Sequence, residues 1–262
     1  MKNFETLLLK TVDDILIMTL NRPEAGNSLN TQMALDLREF WQELYVRAED
    51  YRCVVITGSG NKIFCAGGDN KERKTMDTSA WQAQHAIGEQ AFRHWINCPI
   101  PVIAAVNGAA YGGGCEMVLA CDFAYAAPQA RFALPEVSLG ILPGGMGTQN
   151  LPRAVGLRRA KEVLLSAVPF SAEEALAWGV VNKICEGDTL MDRVLETARK
   201  IASNAPMAVR QAKKSMNVAF HSDLQTGYAY ELEAYNRLVP TSDRVEGIAA
   251  WNEKRKPHYT GR

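Results

Sequence analysis

Two carboxylates stand where glycines could bring backbone N–H groups beside them. Glu116 follows Gly112-Gly113-Gly114-Cys115, and Glu136 follows Phe132-Ala133-Leu134-Pro135. Three successive glycines permit positive φ and close backbone approach. Met117 to Ala120 is apolar, so Glu116 is expected in the first turn of a buried helix. The dipole there favours an anion, and free N–H groups at the same end can reach a ligand oxygen. Glu136 is the only charge between Arg131 and Arg153. A lone charge in so apolar a stretch is costly to bury without a partner or a purpose. The plainer readings are a tight turn with Glu116 as a first-turn charge, and an exposed loop acid at Glu136.

A third piece is Ala66-Gly67-Gly68-Asp69. It can be a simple turn with Asp69 capping the next element. It can also supply a second N–H donor facing that of Gly113 across a cleft. Two such donors make an oxyanion hole, commonly among the largest contributions to catalysis. The combination points to acid/base chemistry on a substrate that gathers negative charge on an oxygen.

Other chemistries find little support. The glycines fit neither G-x-G-x-x-G after a strand nor G-x-x-x-x-G-K-[ST], which argues against a nucleotide cofactor. His85, His94, His221 and His258 show no metal spacing, and no G-x-S-x-G is present. Neither a cofactor nor a metal is expected. The six cysteines form no C-x-x-C pair, which reads as buried thiols in a reducing, cytoplasmic setting. Lys+Arg and Asp+Glu balance at 29 each, so charge makes no case for nucleic acid or an anionic membrane. The first twenty residues lack the apolar core and cleavage site of a leader, and the apolar runs are too short to span a bilayer.

The elements that must hold these groups are an α/β set. Leu7–Val12 and Ile15–Leu20 read as a hairpin about Asp13-Asp14. Cys53–Thr57 and Val102–Val106 read as strands buried on both faces, with shorter strands near Phe64 and from Val180 to Ile184. Thr31 is expected to cap a helix carrying Met33, Leu37, Phe40, Trp41 and Leu44 on one face, and Asp77 or Thr78 one reaching Trp95. Helices dominate after Ala154. At 262 residues with 47% apolar composition, one continuous core can form without disulfides. The expected division is a core over residues 1–200 and a helical region over 201–262.

At this point a family resemblance emerges. LNRPEAGNSLN, FCAGGDNKE, PVIAAVNGAAYGGGCEMVLACDFAYA, FALPEVSLGILPGGMGTQNLPRAVG, SAEEALAWGVVNKI and EGIAAWNEKRKPHYTGR follow one another. Together they resemble the crotonase, or enoyl-CoA hydratase/isomerase, superfamily over nearly the whole chain. The resemblance implies a spiral of ββα units, a C-terminal helical trimerisation region and a trimer or dimer of trimers. It implies a coenzyme A thioester as substrate. The two catalytic glutamates of the hydratases fall on Glu116 and Glu136, and the oxyanion-hole N–H groups on Gly68 and Gly113. Ala66, Gly67, Gly68, Asp69 and Asn70, with Arg22 to Ala25, would line the CoA path. Lys254 stands with Arg255 and Lys256 as a candidate for the CoA phosphates, reached from a neighbouring subunit.

The expected reaction is hydration of a short-chain or branched 2-enoyl-CoA. The alternatives are a methylglutaconyl-CoA hydratase, an isomerase or a specialised dehydratase of the carnitinyl-CoA type. An RNA-binding relative is a remote one, given only the short basic pairs Arg199-Lys200 and Lys213-Lys214. Three departures bear on the substrate: Asn70 replaces an apolar residue, Met146 interrupts a small-residue run, and Asn150 stands where many relatives have Arg. Met146 is expected to narrow the acyl pocket, and Asn70 to add a polar contact.

Overall fold

The computed structural model describes residues 3–262, so Met1 and Lys2, on which the expected lack of a leader partly turns, lie outside the described residues. Among the described residues ten strands run as β1 (Leu7–Val12), β2 (Ile15–Leu20), β3 (Cys53–Gly58), β4 (Ile63–Cys65), β5 (Val102–Val106), β6 (Ala109–Tyr111), β7 (Phe123–Ala126), β8 (Arg131–Ala133), β9 (Phe170–Ser171) and β10 (Lys183–Ile184). They form two sheets, one ordered β1-β2-β3-β5-β7-β10 and one ordered β4-β6-β8-β9. Each turn of the chain adds one strand to each sheet: β3 then β4, β5 then β6, β7 then β8. A helix follows every pair, so the chain climbs as a spiral of ββα units. The pairings along the climb are parallel, with Val54 beside Val102, Ile103 beside Phe123 and Ala110 beside Phe132. Parallel strands need a crossover, and here the helices supply it.

Period two explains why β3 and β5 read as unbroken apolar runs. Val54, Ile56, Val102 and Ala104 face a core shared with Phe40, Trp41 and Trp95. Cys53, Val55, Ile103 and Ala105 face the other way, onto Leu190, Val194 and Ala198 of the helix Leu190–Ala202. Both faces of the six-stranded sheet are covered, as a mainly parallel sheet requires.

Helix Thr31–Val46 packs on helix Thr78–Ile96, with the Trp41 and Trp95 rings stacked 4.7 Å apart. Its cap is Asn30 and not Thr31, because the Asn30 side chain takes the Met33 N–H at 2.9 Å. The second helix starts from Asp77, whose carboxylate takes the Ala80 N–H at 2.8 Å. After β10 the chain is helical: Leu190–Ala202, Pro206–Val218, Leu224–Leu238 and Ser242–Asn252. The last three leave Leu224, Tyr228, Tyr235 and Trp251 exposed. Among the described residues, no helix is long and apolar enough to cross a membrane.

Candidate active site

The ends of β4 and β6 deliver the two glycine segments to one place. Gly67 has φ 87°, and a side chain there would come within 2.6 Å of the Tyr111 carbonyl and 3.2 Å of the Gly113 nitrogen. Only glycine lets the strands approach this closely. Gly112 has φ 51° and swings the chain from β6 into the helix Gly113–Ala120.

The N–H groups of Gly68 and Gly113 are left unengaged for different reasons. Leu29 pairs with the segment after β4 by donating to the Gly67 carbonyl at 2.8 Å and accepting from Asp69 N–H at 3.0 Å. In that parallel pairing the N–H of Gly68 points away from Leu29. Gly113 opens a helix, where the first N–H groups have no partner within the helix. Among the described residues no backbone acceptor takes either N–H.

Glu116 lies in the first turn of that helix and is buried. Its Oε1 takes the N–H groups of Gly145 and Gly147, both at 2.7 Å. Glu136 opens the 3-10 turn Glu136–Leu139 and is buried too, so it is no exposed loop acid. Its Oε2 is enclosed and, among the described residues, has no hydrogen-bond partner. An unsatisfied buried oxygen is rare in folded proteins and calls for an explanation. Burial lifts Glu116 to about 7, against the two glycine N–H groups, and the charge of Glu136 adds to the rise. Burial lifts Glu136 as well, with the Arg73 cation opposing. Burial thus disfavours the charged form of both carboxyls, the condition under which a carboxyl can hold and pass a proton.

Both glutamates open onto a cleft of about 540 Å³. Ala66, Gly67, Gly68 and Asn70 from one glycine segment, Gly112 and Gly113 from the other, and Trp81, His85 and Leu142 line it. The volume falls in the usual range for a small-molecule site.

Other residues singled out from the sequence do different work. Asp69 caps the short helix Asn70–Arg73, taking the N–H groups of Lys71 and Glu72. Burial pushes its pKa up, but the Glu72 N–H and the Arg22 guanidinium outweigh that and hold it below the ordinary carboxylate value. Arg22 is spent on Asp69, at 3.0 Å, and on the Ser28 carbonyl at 2.6 Å. Arg22, Ala25 and Asp69 line no part of the cleft. Lys254 is exposed past the last helix, away from this chain's cleft.

Met146, expected to narrow the acyl pocket, is not among the residues that line this cleft. Its backbone is left-handed, φ 72°, because Gly145 and Gly147 on either side must both aim N–H groups at Glu116. That turns the Met146 side chain into a separate groove, beside Tyr45, Ile96 and Asn150. The residue that sequence reasoning missed is Arg73. It sits in a run of charges, Lys71 to Lys74, that looks like a solvated face. The structure instead places its guanidinium in the cleft, 5.0 Å from the Trp81 ring. Among the described residues, no cluster of His, Cys, Asp and Glu could hold a metal ion.

With this geometry in hand, the comparisons with known proteins are specific. The family model described as enoyl-CoA hydratase/isomerase matches residues 10–262. The chain belongs to that family. It is 40% identical over 250 residues to a short-chain-enoyl-CoA hydratase of Clostridium acetobutylicum, covering 95% of each protein. It is 38% identical over 251 residues to the mitochondrial methylglutaconyl-CoA hydratase of Homo sapiens, covering 94% of this chain and 74% of that one. A crystal structure of an enoyl-CoA hydratase from Bacillus anthracis superposes with a TM-score of 0.96 at 39% identity, covering 98% of this chain and all of that one.

Proposed function

We propose that the protein is an enoyl-CoA hydratase, adding water reversibly across the 2,3 double bond of a short-chain 2-enoyl-CoA thioester. The observation that carries this reading is the pair of buried carboxyls lining one cleft with two glycines whose N–H groups are unengaged. The thioester carbonyl oxygen accepts from Gly68 and Gly113. A water held between Glu116 and Glu136 faces Cβ. Glu116 takes a proton from that water as its oxygen bonds Cβ, while enolate charge gathers on the carbonyl oxygen. Glu136, protonated, delivers its proton to Cα. Its enclosed Oε2, with no protein donor, suits the carboxyl that carries the proton. Dehydration runs the same steps backwards.

The CoA chain follows the rim from Ala66 to Asn70, Arg22 serving it indirectly by fixing Asp69. The exposed aromatic face of the C-terminal helices supports a homotrimer or a dimer of trimers, in which Lys254 of one copy would serve another's cleft. Residues 1–200 would then form the catalytic core and 201–262 the assembling region.

The test is the loss of conjugated absorbance when crotonyl-CoA meets the protein, followed by product analysis in ¹⁸O-labelled water. One labelled oxygen at C3 is expected. A shifted double bond without label would replace the hydratase reading with an isomerase.

A further inference from the structure

The cleft holds a cation that the hydration steps above do not use. Arg73 ends the short helix Asn70–Arg73, and its side chain is fixed on two sides. Its Nε donates to the Gln84 Oε1 at 3.0 Å. Gln84 is itself held, its Nε2 donating to Glu72 Oε2 at 2.7 Å and to Thr31 Oγ1 at 2.9 Å. The guanidinium face lies 5.0 Å from the centre of the Trp81 ring.

The outer edge of the fork is free. Among the described residues, Arg73 makes no ion pair, and neither Nη1 nor Nη2 has a hydrogen-bond acceptor. That edge lies over Gly68, where a Cβ built on the glycine would come within 2.1 Å of Nη1 and 3.0 Å of Nη2. The open side of a pre-oriented guanidinium therefore adjoins the N–H assigned to the thioester oxygen. Arginine's planar fork matches a carboxylate with two parallel hydrogen bonds. A carboxylate on the substrate would otherwise share the cleft with the general base Glu116 without a cation to offset it.

We infer that Arg73 is a specificity residue, which receives a carboxylate carried by the acyl chain and directs the cleft towards 2-enoyl-CoA thioesters of short dicarboxylic acids. The inference rests on the hydratase reading for its chemistry, but not for its binding geometry. The fork stands beside the thioester site, so the second carboxylate is separated from the thioester by a few carbons.

A matched pair of substrates tests it. Glutaconyl-CoA and pent-2-enoyl-CoA have the same chain and differ in a terminal carboxylate against a methyl. The wild-type enzyme is expected to favour glutaconyl-CoA in kcat/KM. In Arg73→Met the ratio of the two kcat/KM values should fall about 30- to 100-fold, mainly through KM for glutaconyl-CoA, the size expected for a charge-assisted pair. Arg73→Lys should recover only part of the ratio, since a point charge cannot form the fork.

Binding of the saturated thioesters gives a readout that needs no turnover. By calorimetry, glutaryl-CoA should bind the wild type more tightly than pentanoyl-CoA, and Arg73→Met should erase the difference. Equal binding of the two by the wild type overturns the inference, whether or not hydration is seen. An equal loss on both substrates in Arg73→Met, with a displaced pH profile, also overturns it and makes Arg73 a counter-ion of the glutamates. If glutaryl-CoA is preferred but pent-2-enoyl-CoA and glutaconyl-CoA both go unhydrated, the Arg73 assignment stands and the hydratase reading fails.

Discussion

Lys213, which is buried, and Asp122, which reaches the surface, form an ion pair in which each charge has its partner, whereas Glu116 and Glu136 are both buried in one cleft and, among the described residues, neither has an ion-pair partner. Lys213 Nζ donates to Asp122 Oδ2 at 2.7 Å and to the Ile100 carbonyl at 2.8 Å. The same Asp122 oxygen takes the Val102 N–H at 2.7 Å. The charges are opposite, and the pair pins the helix Pro206–Val218 to the start of β5. In the cleft the charges are alike, both pKa values are pushed up, and one enclosed oxygen has no partner among the described residues. A satisfied ion pair is explained by the fold. An unsatisfied buried pair is held in place at a cost in stability, and the cleft beside it says what for.

The largest effect should separate the two by activity. Glu116→Gln and Glu136→Gln should each lower the hydration rate by about 10³-fold, within the range for removing a positioned general acid or base. Lys213→Met should leave turnover per folded molecule unchanged. The measurement is kcat on crotonyl-CoA, normalised to folded protein by circular dichroism. If Glu136→Gln keeps turnover within tenfold of wild type, the unsatisfied oxygen is not the proton donor.

Stability should show the reverse order. Lys213→Met strands Asp122, whose side chain is 24% exposed, so the expected loss is about 2–4 kcal/mol, below the top of the range for breaking a fully buried pair. Denaturant unfolding would report it as a fall in midpoint at constant slope.

The two pairs differed just as sharply in how legible they were. Glu116 and Glu136 could be found because glycines and apolar runs isolate them in sequence. Lys213 could not, because its partner is 91 residues away and it sits beside Lys214 on a helix that reads as amphipathic. Arg73 was hidden for a similar reason: local charge density looks like solvent exposure until Trp81 and Gln84 are seen to enclose it. The long strands β1, β2, β3 and β5 were readable from β-branched runs, and the helices Ala172–Trp178, Leu190–Ala202 and Leu224–Leu238 from their spacing. The whole of β6 and β8 was not, since three residues carry no periodicity. These short strands build the second sheet, which brings Gly68 against Gly113. The glycine segments were therefore visible from sequence, and the scaffold that joins them was not.

The pH dependence sharpens the contrast. Burial raises Glu116 from the ordinary 4.5 to about 7. The folded protein thus binds that proton more tightly than the unfolded chain does. As pH rises past 4.5 the unfolded chain ionises first, so stability falls through the window up to 7 and levels off above it. Glu116→Gln keeps an oxygen for the Gly145 and Gly147 N–H groups and removes the charge. It should therefore be more stable than wild type at pH 8, by about 1–3 kcal/mol, and no more stable at pH 4. Thermal unfolding at the two pH values reads this directly. A gain of equal size at pH 4 would trace the effect to packing and not to the buried charge.

The smallest effect is the most discriminating. The double variant Asp122→Asn/Lys213→Met removes both charges and leaves an amide oxygen for the Val102 N–H. Only the Ile100 carbonyl loses its donor, and carbonyls tolerate this better than N–H groups do. Its unfolding free energy should lie within about 1 kcal/mol of wild type, because a partly buried ion pair contributes little beyond its neutral replacement. Glu116→Gln/Glu136→Gln should recover no activity, since neither amide can take or deliver the proton. Recovery of stability in the first double variant without recovery of turnover in the second would distinguish charge buried for architecture from charge buried for reaction. A double variant at Asp122 and Lys213 as unstable as Lys213→Met alone would mean that this pair, too, needs its charge.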